Sequence, residues 1–298
     1  MDGAVRENRD FIPGDGPGKR ERDREEGRDM KKSKTVWSLI LALVMTGALA
    51  SSLAASGVGA VVWYAKWDPA WDDMMKNPDI EGTSGNYFEM DPSWMYGPTL
   101  SLDITDTWKI STTALFGNYE YRSGYTDSTG KKRVFEGKEF KWDSDLTLQY
   151  KYSSYMFFFG GLKYQGYKSQ TDFVRLGSSD QELSRVSSKA KYYQYGPGLG
   201  VGFNLPLWGP TSVVYNINFV AQYATDDQEE DKTADYWVYG INTLLGLAYY
   251  SKALDTSFLL GGKYQMFHCK GQDGSDNEKN NGKNDYFYGV IVSAVYNF

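Results

Sequence analysis

The feature that most limits how this chain can fold is an alternation of apolar and polar residues that recurs along most of its length. From Val213 to Tyr223 the odd-numbered residues are apolar or aromatic, whereas the even-numbered ones include Asn216, Asn218 and Gln222. Side chains alternate between the two faces of a β-strand. The pattern therefore predicts a strand with one face against an apolar medium and the other against a polar one.

The same alternation appears in further segments along the chain. They begin near Trp94, Trp108, Lys138, Tyr155, Tyr193, Trp237, Phe258 and Tyr286. The segment 57–67 alternates only weakly, but its position makes it the first strand of the series. Together these segments predict an all-β chain of ten strands.

The connections between the predicted strands alternate between short and long. The short ones lie near 105–107, 152–154, 205–210 and 252–253, and the long polar ones near 68–93, 122–137, 169–188, 225–235 and 269–285. This regularity is typical of a transmembrane β-barrel, with short periplasmic turns and long extracellular loops. We expect a ten-stranded antiparallel up-and-down barrel. The alternative, a soluble β-sandwich, needs neither this regularity nor strands of this length.

The aromatic content agrees with a barrel. The chain has 24 Tyr and 9 Trp, yet its mean hydropathy is −0.53. Aromatic girdles at both membrane interfaces and a polar lumen account for this combination. Beyond residue 55 no apolar run approaches the length of a membrane-spanning helix.

The N-terminal region predicts export. Residues 30–55 combine a basic start, an apolar run over 36–49 and small residues suited to cleavage, which indicates a signal peptide. A transmembrane anchor is the alternative, but the apolar run is short for one. Residues 1–29 are charged and nearly free of large apolar groups, so we expect a disordered extension. Translation from Met30, or removal of a long n-region together with the signal, leaves the barrel over 56–298.

The C-terminus carries a family resemblance. The last predicted strand ends in Val-Tyr-Asn-Phe, with Tyr296 and Phe298 on its apolar face. This ending resembles the assembly signal of Gram-negative outer-membrane β-barrel proteins, although no specific family is identified. The resemblance implies location in the outer membrane, contact with its lipids and lipopolysaccharide, and insertion by the barrel-assembly machinery.

Charge and residue counts exclude several kinds of site. The net charge of −6 at pH 7 argues against a nucleic-acid partner, which requires basic patches. One cysteine, Cys269, permits no intramolecular disulfide, and one histidine, His268, permits no zinc cluster. We expect no metal and no cofactor. Whether the acidic loops, such as that around Asp226, bind calcium is left open.

Lumen charges form the candidate site. Equal counting outwards from a tight turn near Ser153 places Asp143 opposite Lys163, and Trp142 opposite Tyr164 on the lipid face. A charge buried in a narrow lumen requires a partner, so this pair is expected to close the lumen.

Further lumen residues follow from the same parity. Asp103 and Lys109 flank the short turn near Asp106, and Lys263 lies on the lumen face of the ninth strand. A glycine row over 196–202 also faces the lumen. Bulky neighbours fill the space above it, the lumen is wider on that side, or the glycines ease tight curvature of the barrel; the sequence does not separate these three interpretations.

Three functions remain after these exclusions. We expect a non-enzymatic integral outer-membrane protein with a structural, surface-interaction or narrow-passage role. One alternative is a porin-like channel for a specific small molecule. The other is a rim-sited hydrolase resembling the omptin proteases, for which His268 is the candidate residue, although no acidic–histidine motif surrounds it. The ligand, the openness of the lumen and the oligomeric state do not follow from the sequence.

Overall fold

The computed structural model describes residues 56–69, 84–126, 132–176, 182–228, 232–270 and 283–298. The predicted extension and signal peptide, residues 1–55, lie outside these ranges. Within these ranges no helix is long and apolar enough to cross a membrane.

Eleven β-strands make up the described chain. They are β1 Ser56–Asp68, β2 Ser84–Met90, β3 Ser93–Asp103, β4 Trp108–Thr126, β5 Lys132–Lys151, β6 Met156–Leu176, β7 Glu182–Pro206, β8 Thr211–Gln228, β9 Lys232–Ser251, β10 Thr256–Lys270 and β11 Lys283–Asn297.

The strands close into a barrel. From β3 onwards each strand pairs antiparallel with the next in sequence, and β1 joins β11 to β3. Both β2 and β3 pair with β4, one after the other along its length. Only Asp91 and Pro92 separate β2 from β3, and the missing amide hydrogen of proline interrupts the ladder there. The two segments share one position in the barrel, so the prediction of ten antiparallel strands is confirmed.

The strands are longer than the sequence predicts. The expected loops 122–137, 169–188 and 225–235 consist largely of strand, and the expected loop 68–93 contains β2. Backbone hydrogen bonds form the ladder, so polar segments continue it without apolar side chains. The 25 residues of β7 span about 80 Å at a rise near 3.3 Å per residue. Even when tilted, such a strand extends well beyond a hydrocarbon core of about 30 Å.

The outer wall carries two aromatic belts separated by an aliphatic band. Exposed rings near the short turns are Trp108, Tyr150, Tyr152, Tyr155, Phe158, Trp208, Tyr249, Tyr250, Tyr296 and Phe298. Exposed rings farther along the strands are Tyr64, Trp94, Tyr96, Tyr195, Trp237, Tyr239, Tyr264 and Tyr288. Between them lie exposed residues such as Leu148, Leu162, Leu199, Leu247 and Val292. This arrangement matches a lipid-facing surface with an interfacial belt at each edge.

The first strand differs from the others because both of its faces are apolar. Val58, Val62 and Tyr64 are exposed on the outer wall, whereas Trp63 and Trp67 are buried in the lumen. The weak alternation of segment 57–67 follows from these inward-facing aromatic side chains.

Four short turns join strands at one end of the barrel, as predicted. They cover residues 104–107, 152–155, 207–210 and 252–255. Gly209 adopts a φ of 54°, a conformation that glycine reaches without steric cost, and Asp255 adopts 45°. We call this end the short-turn end.

Candidate functional site in the barrel lumen

The structure brings Asp143 and Lys163 together, but in a different register from the predicted one. Asp143 lies opposite Gln165, and Lys163 lies opposite Asp145. The predicted register was wrong by two residues. Lys151 pairs with Phe157, so the β5–β6 turn is centred one residue after Ser153, and moving the centre by one residue moves each partner by two. Lys163 Nζ nevertheless forms a diagonal ion pair with Asp143 Oδ1, and a second with Asp145 at 3.2 Å.

The predicted contact on the lipid face changes in the same way. Trp142 lies opposite Gly166, and Tyr164 lies opposite Ser144. The rings of Trp142 and Tyr164 remain neighbours on the diagonal, with centroids 6.1 Å apart.

A hydrogen bond crosses the lumen at this level. Gln265 Nε2 donates to Asp143 Oδ2 over 3.0 Å, although β10 and β5 stand on opposite walls, five positions apart in the ring of ten. Gln165 Nε2 on β6 donates to Gln222 Oε1 on β8 over 3.3 Å, past the intervening strand β7. Asp143, Lys163, Gln165, Gln222 and Gln265 are at most 3% exposed, and we call these five residues the central layer. The contact between Asp143 and Gln265 therefore spans the lumen at this level.

Aromatic rings fill the lumen on the side of the central layer away from the short-turn end. Trp67 stacks on Phe287 with centroids 5.1 Å apart and meets Tyr119 edge-on at 5.5 Å. Lys141 lies among these rings, with its Nζ 4.1 Å from the centroid of Phe287. A cation over a ring face is stabilised by the quadrupole of the ring, so this buried lysine has an electrostatic partner.

The remaining predicted lumen charges lie at two levels. Asp103 and Lys109 are directly opposite each other near the short-turn end, and their charged groups are 3.2 Å apart. They are 26% and 40% exposed, so water screens this pair. Lys263 points its Nζ at the ring of Trp63, 4.5 Å from the centroid.

Bulky aromatic neighbours explain two of the four glycines in the row, Gly200 and Gly202. A side chain at Gly202 would collide with the ring of Phe157, and one at Gly200 would collide with the ring of Phe159. These two rings therefore lie over the glycines. At these two positions the structure supports the interpretation in which neighbouring side chains fill the space.

His268 does not face the lumen. It shares the outward parity of Tyr264 and Met266, and its Nδ1 lies 2.9 Å from Asn284 Oδ1. Its neighbour Cys269 is a free thiol with lumen parity. Among the described residues no group of three or more His, Cys, Asp or Glu side chains could hold a metal ion. The acidic segments around residues 229–231 and 273–278 lie outside the described ranges.

The predicted assembly signal lies at the barrel seam. The amide of Phe298 donates to Ser56 O over 2.8 Å, and the amide of Ser56 donates to Phe298 O over 2.9 Å. Tyr296 pairs with Val58 on one side and Thr256 on the other. The last residues thus join the two ends of the sheet.

Sequence reasoning did not single out Trp63, Trp67, Lys141 or the glutamines as site residues. The alternation along each strand already placed Lys141, Gln165 and Gln265 on the lumen face. The weak alternation of β1 was the signal for its inward-facing tryptophans. The contacts across the lumen had no signal in the sequence, because they depend on how the ring closes.

Among the comparisons with known proteins, the structural match with a TM-score above 0.5 supports the fold. No family model matches the chain, and neither does any curated protein sequence. The outer membrane protease OmpT from Escherichia coli is similar in structure, with a TM-score of 0.51 at 10% identity over 83% of this chain and 98% of that one. The translocator domain of the autotransporter NalP from Neisseria meningitidis has a TM-score of 0.38 at 11% identity, over 91% and 98%. Neisserial surface protein A has 0.32 at 12%, over 82% and 99%. The chain has the fold of the bacterial outer-membrane β-barrels.

Proposed function

We propose that this chain is a non-enzymatic integral protein of the outer membrane whose own side chains close the barrel. Its role is structural or one of surface interaction. The observation that carries the proposal is the hydrogen bond between Gln265 and Asp143, which joins opposite walls of the lumen.

The energetics of the central layer support a closed lumen. Lys163 and Asp143 are almost fully buried, and such charges are stable only with partners. An ion passing this level would have to separate the pair and the amides that bond to it. Removing one partner from a buried pair costs roughly 3–5 kcal/mol, which makes spontaneous opening rare.

Single-channel recording in planar bilayers tests the proposal. The unmodified barrel is expected to show no large steady conductance. The variant Asp143→Ser, Lys163→Ser, Gln265→Gly removes the ion pair together with the hydrogen bond across the lumen and should conduct, which shows that the assay detects inserted barrels. Large steady conductance from the unmodified protein would contradict the proposal and favour a channel.

The aromatic belts support placement in the outer membrane. Rings at two levels with an aliphatic band between them suit lipid on the outer wall. Contact with lipopolysaccharide and insertion by the barrel-assembly machinery belong to the same proposal. Crosslinking of the outer wall in native membranes checks the lipid contacts.

A substrate-specific channel is the second candidate. Lumen residues toward the short-turn end, such as Thr99, Thr147 and Asn218, are only half-buried, so the barrel is open on that side of the central layer. Uptake of radiolabelled solutes into liposomes that contain the protein would indicate a narrow passage, and absence of uptake would indicate a lumen closed at the central layer. Uptake that is abolished by a bulky substitution at Gly198 would favour this candidate.

The rim hydrolase receives little support from the geometry. His268 lies on the outward face of β10, and no acidic–histidine motif surrounds it in the sequence. The variant His268→Ala provides the test. We expect no peptide cleavage by either form, and cleavage lost in His268→Ala would establish the hydrolase.

A further inference from the structure

Lumen-facing residues between the central layer and the short turns are partly accessible to water, and we call this part of the lumen the chamber. Its wall residues, including Thr99, Ser111, Thr113, Phe157, Phe159 and Asn216, are half-buried, whereas the central layer above them is buried. A lumen that is filled on one side and accessible on the other forms a concave site. Such concavities with mixed aromatic and polar walls are where proteins bind small molecules.

One wall of the chamber contains two rows of the same composition, each with a phenylalanine, a glycine and an asparagine on three neighbouring strands. Phe157 on β6, Gly202 on β7 and Asn216 on β8 are directly opposite one another, and so are Phe159, Gly200 and Asn218. Each glycine leaves room for the neighbouring ring, and the two ring centroids are 5.9 Å apart. The result is a two-ring aromatic platform flanked by two amide side chains.

The amides have unused hydrogen-bonding capacity. Asn216 Oδ1 and Asn242 Oδ1 are buried and make no hydrogen bond within the part of the chain that the structure describes. Asn242 lies directly opposite Asn218, which extends the amide row around the wall. A buried acceptor without a donor is costly. Both residues are partly accessible, so rotation of their side-chain amides would turn these oxygens toward a donor in the chamber.

The charges around the chamber compensate one another. Lys109 pairs with Asp103 at the mouth, and Lys163 pairs with both Asp143 and Asp145 at the ceiling. Lys263, also near the ceiling, points at an indole ring. Because each of these lysines already has a carboxylate or ring partner, none is left to bind an anionic ligand. The chamber therefore favours an uncharged one.

We propose that this chamber binds a neutral saccharide. A sugar ring offers an apolar face to stack on Phe157 and Phe159. Its hydroxyl groups would donate to the Asn216 and Asn242 oxygens once the amides rotate toward the chamber. An apolar hydrocarbon would stack equally well but would leave those oxygens unpartnered, and sites built for hydroxyl groups discriminate strongly against ligands that lack them. The inference concerns the chamber alone and does not depend on whether the central layer is closed.

Isothermal titration calorimetry on the folded barrel in an amine-oxide detergent, which has no sugar headgroup, tests the inference. The probes are glucose and maltose as neutral saccharides, toluene as an apolar ligand and glucose 6-phosphate as an anion. Phe157→Leu keeps apolar volume but removes the ring face, and Asn216→Leu removes the acceptor. Phe158→Leu is the matched control, since Phe158 lies between the two platform residues but faces the outer wall.

The expected result is binding of at least one neutral saccharide, with affinity about tenfold lower in Phe157→Leu and in Asn216→Leu and unchanged in Phe158→Leu. Heat-modifiable migration on gels verifies that each variant is folded. Binding of toluene or the phosphate ester without a neutral sugar, equal binding by all variants, or no saccharide binding at saturating concentrations would overturn the inference. Calorimetry tests saccharide binding and planar-bilayer recording tests the closed lumen. Failure of one hypothesis is therefore distinguishable from failure of the other.

Discussion

Gln265 donates a 3.0 Å hydrogen bond to Asp143 across the full width of the barrel, while Lys163 forms an ion pair with the other carboxylate oxygen of Asp143. One carboxylate thus connects three strands, two neighbouring and one opposite. Its loss leaves a buried ammonium with one partly exposed partner, Asp145, and an amide without an acceptor.

We therefore expect Asp143→Ala to lower the free energy of unfolding by roughly 3–5 kcal/mol. Adding Lys163→Met should recover part of this loss, because it removes the buried charge that Asp143→Ala leaves behind. Urea unfolding in detergent measures both. The matched control is Asp103→Ala, which breaks a partly exposed pair and should cost roughly 0–1 kcal/mol. Additive, near-zero effects of the Asp143 and Lys163 changes would indicate a wet lumen.

The glycine row gives a second prediction. Gly202→Ala places a methyl group against the Phe157 ring and Asn216, and overpacking of this kind costs roughly 1–3 kcal/mol. A methyl group at Gly262 would meet no other atom within 4 Å, so Gly262→Ala is the control and should be neutral or slightly stabilising. Equal unfolding midpoints for the two variants would show that the ring moves aside freely.

The seam predicts a role for the last residue in assembly. Deleting Phe298 removes the two backbone hydrogen bonds to Ser56, and Phe298→Glu places a charge in the aromatic belt. Both changes should slow insertion and increase periplasmic degradation. Tyr152→Glu, at a similarly exposed aromatic position in a turn, is the control and should insert faster than Phe298→Glu. Pulse-chase labelling with heat-modifiable migration measures the rates, and normal folding of the deletion variant would contradict the prediction.

Processing gives a fourth prediction. The signal-like segment predicts translation from Met30 and cleavage between Ala50 and Ala55. Mass spectrometry of the protein purified from outer membranes should find its N-terminus in that interval. Peptides from residues 1–29 in that preparation would show that the extension is retained.

Much of the fold follows from the sequence because a strand imposes a strict period of two. Lipid on one side and a polar lumen on the other made that period visible in nine of the ten strand positions. Parity alone assigned Asp143, Lys163 and Lys263 to the lumen. The four short turns were also predictable, since turns require only a few local residues.

Strand ends and register were harder to predict. Polar side chains do not end a ladder held by backbone hydrogen bonds, so β4 to β9 continue through segments that resemble loops. Register depends on the number of residues in the turn, and a difference of one residue in its centre shifted every β5–β6 pair by two.

The sequence by itself determined which face looks inwards at nine of the ten strand positions, and therefore that charges and amides line the lumen. Only the tertiary structure decided that Gln265 meets Asp143, that Lys141 lies over Phe287 and that Phe157 and Phe159 lie on glycines. Inward parity is a local property of one strand, whereas contact across the lumen depends on closure, stagger and the combined volume of side chains from opposite walls.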